Sequence, residues 1–306
     1  MKILFTSTRP LDRAENLLAV FSACTLPKDF HQMSVWRKCP ALTSGNYSLI
    51  VADEVPAESS APVLCITHGI PGGKLYGLDQ KYPYVKEHEV KNLVAVIGCS
   101  SFTYHLVTSA FGVSPEKVHN IGMPRTDIYF QRKKESTGRV YFYAPTYRTL
   151  EEYYDFNIDW RYISDNLEED ETLVVKPHMM DTGSIVDKHY PNIVEIPSRF
   201  PSTPILMESD VIISDFSSII FDGYVMRIPA ILFAKDTEHY LKERGMYYPY
   251  PEGYSGRYCT NELLLLQLMH RAKWSDQDEH YRRIFCENCD GHATERVLEL
   301  INELVL

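Results

Sequence analysis

No apolar run in this 306-residue sequence approaches the roughly 18 residues that mark a membrane-spanning helix. The opening stretch, MKILFTSTRP, holds an apolar segment too short for a secretory signal and reads as a first strand, so the expected address is the cytosol. Positive charge is also in deficit: 31 Lys and Arg stand against 41 Asp and Glu, a net charge of −10. A protein whose main partner is nucleic acid carries a basic face, so no nucleic-acid partner is expected. Paired thiols are lacking too. Seven cysteines are scattered through a chain with no signal segment, which reads as reduced thiols. Cys286-Glu-Asn-Cys289 has metal-like spacing, but no second C-x-x-C completes the four ligands of a structural zinc. The pair reads as two thiols in a helix-to-helix turn, and no metal is expected. There is no Walker spacing, no solenoid repeat and no low-complexity tract.

What is present is alternation. Short β-branched runs at 2–6, 49–53, 62–67, 93–98 and 118–122 alternate with helical patterns at 13–24, 100–111 and 126–132. The charged stretch QRKKESTGR, 131–139, has no apolar period and reads as a linker. The pattern then restarts. Strands are expected at 140–144, 172–176, 193–196, 211–215 and 230–234, and helices at 217–226, 237–244, 261–273 and 294–304. Fully apolar strands alternating with helices imply parallel sheets covered on both faces. The expected architecture is α/β, with two Rossmann-like domains at 1–133 and 134–306. In such sheets ligands bind beyond the carboxyl ends of the strands, so the residues just after each strand carry the information.

After the strand at 62–67 comes His68-Gly69-Ile70-Pro71-Gly72-Gly73-Lys74. The glycines permit close backbone approach to a ligand, and His68 reads either as a general base or as a histidine hydrogen-bonded in a turn. Gly122-Met123-Pro124-Arg125-Thr126-Asp127 presents Arg125 at the next such turn, and Ala144-Pro145-Thr146-Tyr147-Arg148 presents Arg148. Singly, each arginine reads as a surface or ion-paired residue; in matching positions the two suggest forks for phosphate oxygens. Lys176-Pro177-His178 offers a lysine and, if His178 is protonated, a second cation. In Ser214-Asp215-Phe216-Ser217-Ser218 a strand becomes a helix. Its two serines read as a helix cap or, with the free amides, as a phosphate site. Asp215 is expected to hydrogen-bond the turn. Asp222 reads as an exposed helical acid or as a ribose contact. The aromatic stretch 240–254 reads as a pocket wall or as core.

In order, Thr67-His68-Gly69, Gly122-x-Pro-Arg125-x-Asp127, Tyr-Ala-Pro-Thr-x-Arg148, Lys-Pro-His178, Ser-Asp-Phe-Ser217-Ser218 with Asp222, and Asp290-Gly291-x-Ala-x-x-Arg296 resemble the CDP-glycerol glycerophosphotransferase family of teichoic-acid polymerases and primases. The resemblance runs from about residue 62 to the C-terminus. The chain differs from it at Thr67, where the family usually has Trp, and at Phe216, where it usually has Tyr.

The resemblance implies a GT-B fold, with two domains facing a cleft and the last helix, about 293–305, packing back on the first. It implies transfer of glycerol phosphate or a similar polyol phosphate from a CDP-activated donor to a hydroxyl of a glycan or polyol-phosphate acceptor, lipid-linked at the inner face of the membrane, with release of CMP. No cofactor is called for. His68 is then the general base. His178, Arg148 and Lys176 stabilise negative charge, Ser217 and Ser218 hold the pyrophosphate, and Arg125 steers the donor or an anionic acceptor. The alternatives are a GT-B glycosyltransferase using a nucleotide sugar, and a non-catalytic nucleotide- or polymer-binding homologue.

Overall fold

The computed structural model describes residues 1–81, 83, 85–148, 157–181 and 183–306. The chain divides into two compact units, Met1–Gln131 with Arg283–Leu306, and Arg132–Arg282. The return of the chain to the first unit thus begins at Arg283, ten residues before the last helix.

The first unit holds β1 (Ile3–Ser7), α1 (Glu15–Ala23), β2 (Lys28–Gln32), β3 (Leu49–Ala52), β4 (Val63–Cys65), β5 (Leu93–Gly98), α2 (Tyr104–Phe111) and β6 (Val118–Asn120). Its strands form one sheet in the order β2-β1-β3-β4-β5-β6, parallel throughout. β1 and β3 are buried at every position, as expected of strands covered on both faces. β2, Lys-Asp-Phe-His-Gln, lies at the sheet edge and is half-exposed, so it carries no apolar run for periodicity to detect.

The second unit holds β7 (Arg139–Tyr143), α3 (Trp160–Asp165), β8 (Glu171–Val175), β9 (Ile193–Glu195), α4 (Thr203–Glu208), β10 (Val211–Ser214), α5 (Ile219–Val225), β11 (Ala230–Phe233), α6 (Thr237–Glu243), β12 (Tyr258–Cys259) and α7 (Glu262–Arg271). Its sheet runs β12-β11-β10-β7-β8-β9, again all parallel. The order reverses between β7 and β10. In open α/β sheets that switch point is where a crevice opens at the strand ends. The charged stretch 131–139 is not a loose linker. Arg132 donates to the carbonyls of Met207 and Ser209, and Lys134 pairs with Asp210 at 2.6 Å. The Glu208 carboxylate accepts from the Ser136 amide at 2.9 Å.

α8 (Asp276–Cys286) leads into α9 (Ala293–Val305), which packs on the first unit. α9 buries Ala293, Val297, Leu300 and Ile301, an apolar stripe at helical spacing, against α1 and the 3-10 helix Pro124–Gln131. Two of the sequence motifs are spent on this docking. The Asp127 carboxylate accepts from the amides of Ala293 and Thr294 at 3.0 and 2.7 Å, capping α9 from another part of the chain. Arg296 donates to the carbonyls of Ile121 and Asn288 at 3.0 and 3.1 Å. Gly122 has φ +91°, and a Cβ there would lie 2.2 Å from the Asn288 carbonyl oxygen. Asp127→Ala is therefore expected to cost about 1–2 kcal/mol. Gly122→Ala, strained and clashing with backbone, is expected to cost about 2–4 kcal/mol. Urea unfolding of both variants measures the difference, and equal midpoints to the unmutated protein would contradict the docking role.

Candidate functional site

In the second unit the switch point is built around one guanidinium. Arg148 is 2% exposed. Its Nε and one terminal nitrogen fork onto Asp236 at 2.6 and 3.1 Å. That terminal nitrogen also donates to Asp215 at 2.8 Å, and the other donates to the Thr146 carbonyl at 2.9 Å. Burial alone would push the arginine pKa down; Asp215 and Asp236 push it up by more, so the charge is locked on. Asp215 is fully buried and also accepts from the amides of Thr146 and Phe216 at 2.9 and 2.6 Å. The rings of Phe216 and Tyr240 stack at 3.8 Å, with the guanidinium 5.4 and 4.9 Å from their centroids. Three strand ends, those of β7, β10 and β11, are tied together in this way.

Arg148 is turned inward rather than presented as a fork for phosphate: a guanidinium this deeply buried has to be neutralised inside the protein, and two carboxylates do so. Asp236 escaped the sequence reading, although an acid shortly after an apolar strand was a signal it shared with Asp215. Asp222, 3% exposed on α5, is a buried residue and not an exposed helical acid. The aromatics of 240–254 go to core and clamp: Tyr240 stacks on Phe216, and the Tyr250 hydroxyl donates to the Asp215 carbonyl at 3.3 Å.

Ser217 and Ser218 form the turn between β10 and α5, both half-buried. Ser218 is the residue preceding α5, yet its side chain makes no cap bond. Ser217 Oγ accepts from the Ile219 amide at 3.4 Å, a long contact. The turn is positioned by the clamp beneath it rather than by serine capping. At the end of β8, Lys176 Nζ donates to the Ser198 carbonyl at 2.9 Å. His178 follows in a tight turn, its amide donating to Asp181 at 2.8 Å and its ring 5.7 Å from that of Tyr147. The Met180 amide donates to His178 Nδ1 at 3.2 Å. With Nδ1 accepting, Nε2 is the ring nitrogen placed to carry a proton. His178 is thereby set up as a donor through Nε2.

In the first unit His68 is exposed at the end of β4, and Gly69 is half-buried beside it. The preceding Thr67 has φ +58°, a left-handed conformation rare for a β-branched residue. The Arg125 guanidinium donates to the His68 carbonyl. Asn16, which periodicity assigned only to a helix face, joins this group. Its Nδ2 donates to the Thr67 carbonyl at 3.1 Å, and its Oδ1 accepts from the Arg125 amide at 2.9 Å. At the end of β3, burial pushes the carboxyls of Asp53 and Glu54 above their ordinary range. Arg9, 2.9 Å from Asp53, opposes the shift there. Cys286 and Cys289 are buried, and burial and the hydrogen bond with Cys289 push the Cys99 thiol well above its ordinary range. Among the described residues no group of three or more His, Cys, Asp or Glu is arranged to hold a metal ion.

Two parallel six-stranded sheets, each with polar side chains gathered at the strand ends, define an α/β protein of the GT-B class. The wall teichoic acid polymerase TagF has the same fold: its structure superposes with a TM-score of 0.77 at 18% identity, over 99% of this chain and 89% of that one. The sequence matches the model of the CDP-glycerol:poly(glycerophosphate) glycerophosphotransferases over residues 41–303, and the chain belongs to that family. It is 25% identical over 254 residues to the teichoic acid poly(ribitol-phosphate) polymerase of Bacillus spizizenii, covering 76% of this chain and 40% of that one. It is 24% identical over 271 residues to the teichoic acid glycerol-phosphate transferase of Staphylococcus aureus, covering 76% of this chain and 69% of that one.

The clamp generates a direct stability prediction. Arg148→Met leaves two buried carboxylates without their cation and is expected to cost about 3–5 kcal/mol. Asp236→Asn, which keeps a polar partner, is expected to cost about 1–3 kcal/mol. Denaturant midpoints read both, and a neutral Arg148→Met would show that the three strand ends do not depend on the clamp.

Proposed function

We propose that the protein transfers a polyol phosphate from a CDP-activated donor, glycerol phosphate or a close relative, to a hydroxyl acceptor, with release of CMP. One observation carries this reading in a chain of this family. The Ser217–Ser218 turn, the Thr146–Arg148 turn and the Lys176–His178 turn stand at the ends of β10, β7 and β8, three neighbours in one sheet at its switch point. Hydroxyls, an ammonium and an imidazole side by side form a donor set for phosphate oxygens.

In this mechanism an acceptor hydroxyl attacks the β-phosphorus and CMP leaves with the bridging oxygen. His68 removes the proton of the attacking hydroxyl. His178 donates from Nε2 to the transferring phosphoryl group or to the departing phosphate. Lys176 adds positive charge, and the serine turn holds the pyrophosphate. Arg125 contributes a second positive charge beside His68. Relatives named for ribitol-phosphate and glycerol-phosphate transfer support the class of donor. The acceptor in this reading is a glycan or polyol-phosphate chain, lipid-linked and met at the inner face of a membrane. No helix among the described residues is long and apolar enough to cross one.

The test is CMP release from CDP-glycerol and CDP-ribitol, run beside a panel of nucleotide sugars. CMP release from a CDP-alcohol is expected; UDP or GDP release from a sugar donor instead would overturn the reading. His68→Ala is expected to lower turnover by about 10²–10⁴-fold. His178→Ala is expected to cost about 10²–10³-fold, and His178→Gln less, because the carboxamide N–H can replace the Nε2–H. Equal loss in Ala and Gln would argue against the donor role.

A further inference from the structure

We infer that Asn16 is a positioning residue for His68: it holds Thr67 in the left-handed conformation that sets the direction of the histidine. The inference rests on the proposed role of His68 and deepens it.

Thr67 carries the unusual feature. At φ +58° a β-branched side chain crowds its own backbone, a conformation that persists only where the surroundings impose it. Glycine, not threonine, is the usual occupant of such a position. The surroundings here are few and specific. The Thr67 hydroxyl donates to the Gly69 carbonyl at 3.2 Å, across the turn that contains His68. The Thr67 carbonyl accepts from Asn16 Nδ2 at 3.1 Å. A rotation of the Thr67–His68 peptide out of this conformation would carry that oxygen away from Asn16 and redirect His68.

Asn16 suits the task by its chemistry. It is 2% exposed on α1, so both ends of its carboxamide need partners inside the protein. One end must donate to a carbonyl and the other accept from an amide, here that of Arg125 at 2.9 Å. A carboxamide does both at once; a carboxylate would set an acceptor against the Thr67 carbonyl. The Met123 sulfur, 3.3 Å from Nδ2, closes the remaining side. Arg125 donates to the His68 carbonyl, so the one carboxamide steadies both peptides that flank His68.

The experiment uses the full chain and three variants: Asn16→Asp, Thr67→Gly and the double variant. Asn16→Asp is expected to lower kcat for CMP release by about ten- to hundredfold, the scale of a small misplacement of a reacting group. The affinity for CDP-glycerol, which is assigned to the other unit, is expected to stay unchanged in calorimetry. Adding Thr67→Gly is expected to restore most of the lost kcat, because glycine takes φ +58° without strain. Unchanged kcat in Asn16→Asp, or no recovery in the double variant, would overturn the inference. Unfolding midpoints provide a readout that needs no substrate. Asn16→Asp is expected to cost less in the Thr67→Gly background than alone. Additive shifts would overturn the inference, whereas failure of the unmutated protein to release CMP would overturn only the reaction assigned to it.

Discussion

Arg148 between Asp215 and Asp236 is the constraint on which the second unit depends. Parallel strands are held to one another along their length by backbone hydrogen bonds, but nothing in that ladder fixes the loops at their ends. Here one guanidinium does so for three strands. Its cost is desolvation, and the geometry answers it: a fork onto Asp236, a second bond to Asp215, and two aromatic rings against its face. A buried ion pair is weak evidence for added stability, since well-packed apolar residues often do as well. Its value lies in specificity. Asp215 is adjacent to Phe216-Ser217-Ser218, and Thr146 is two residues from Arg148, so two of the three turns proposed to meet phosphate are turns the clamp holds.

The first unit uses a neutral version of the same device. Asn16 ties the end of β4 to the loop after β6 through one carboxamide, and Asp127 and Arg296 tie that loop to the C-terminal segment. Several residues that a motif search would call functional thus act on the scaffold. Gly122 is required by a backbone that approaches too closely for a Cβ, and Asp127 by two unpaired amides at the start of α9. Conversely His68, His178, Lys176, Ser217 and Ser218 are left partly or fully accessible at strand ends, and these are the residues to which chemistry is assigned.

Much of this was legible from periodicity. Apolar β-branched runs marked β1, β3, β5, β10 and β11, which are buried at nearly every position, and β7 and β8, which are buried at most positions. The elements that escaped are those without such a signature. β2 is a polar edge strand, β12 has two residues, α3 and α4 are six residues each, and α8 is rich in charge. In the site, position after a strand picked out the right turns but not which way each side chain goes. Arg148 and Asp222 look like surface residues in sequence and are buried. Their environment comes from Asp236 and from the packing of α5, far along the chain or on another element. Asn16 shows the limit most clearly: its two partners are 51 and 109 residues away, and no local pattern contains them.

The claim that Arg148 organises the phosphate turns from below, rather than touching phosphate, is open to one direct measurement. The Nε–H of Arg148 can be observed by proton–nitrogen NMR and assigned by its loss in Arg148→Lys. Bonded to Asp236 and buried, it is expected to exchange slowly with water and to keep its shift when CDP-glycerol saturates the protein. Rapid exchange, or a large shift as the bond to Asp236 gives way to the ligand, would contradict the account.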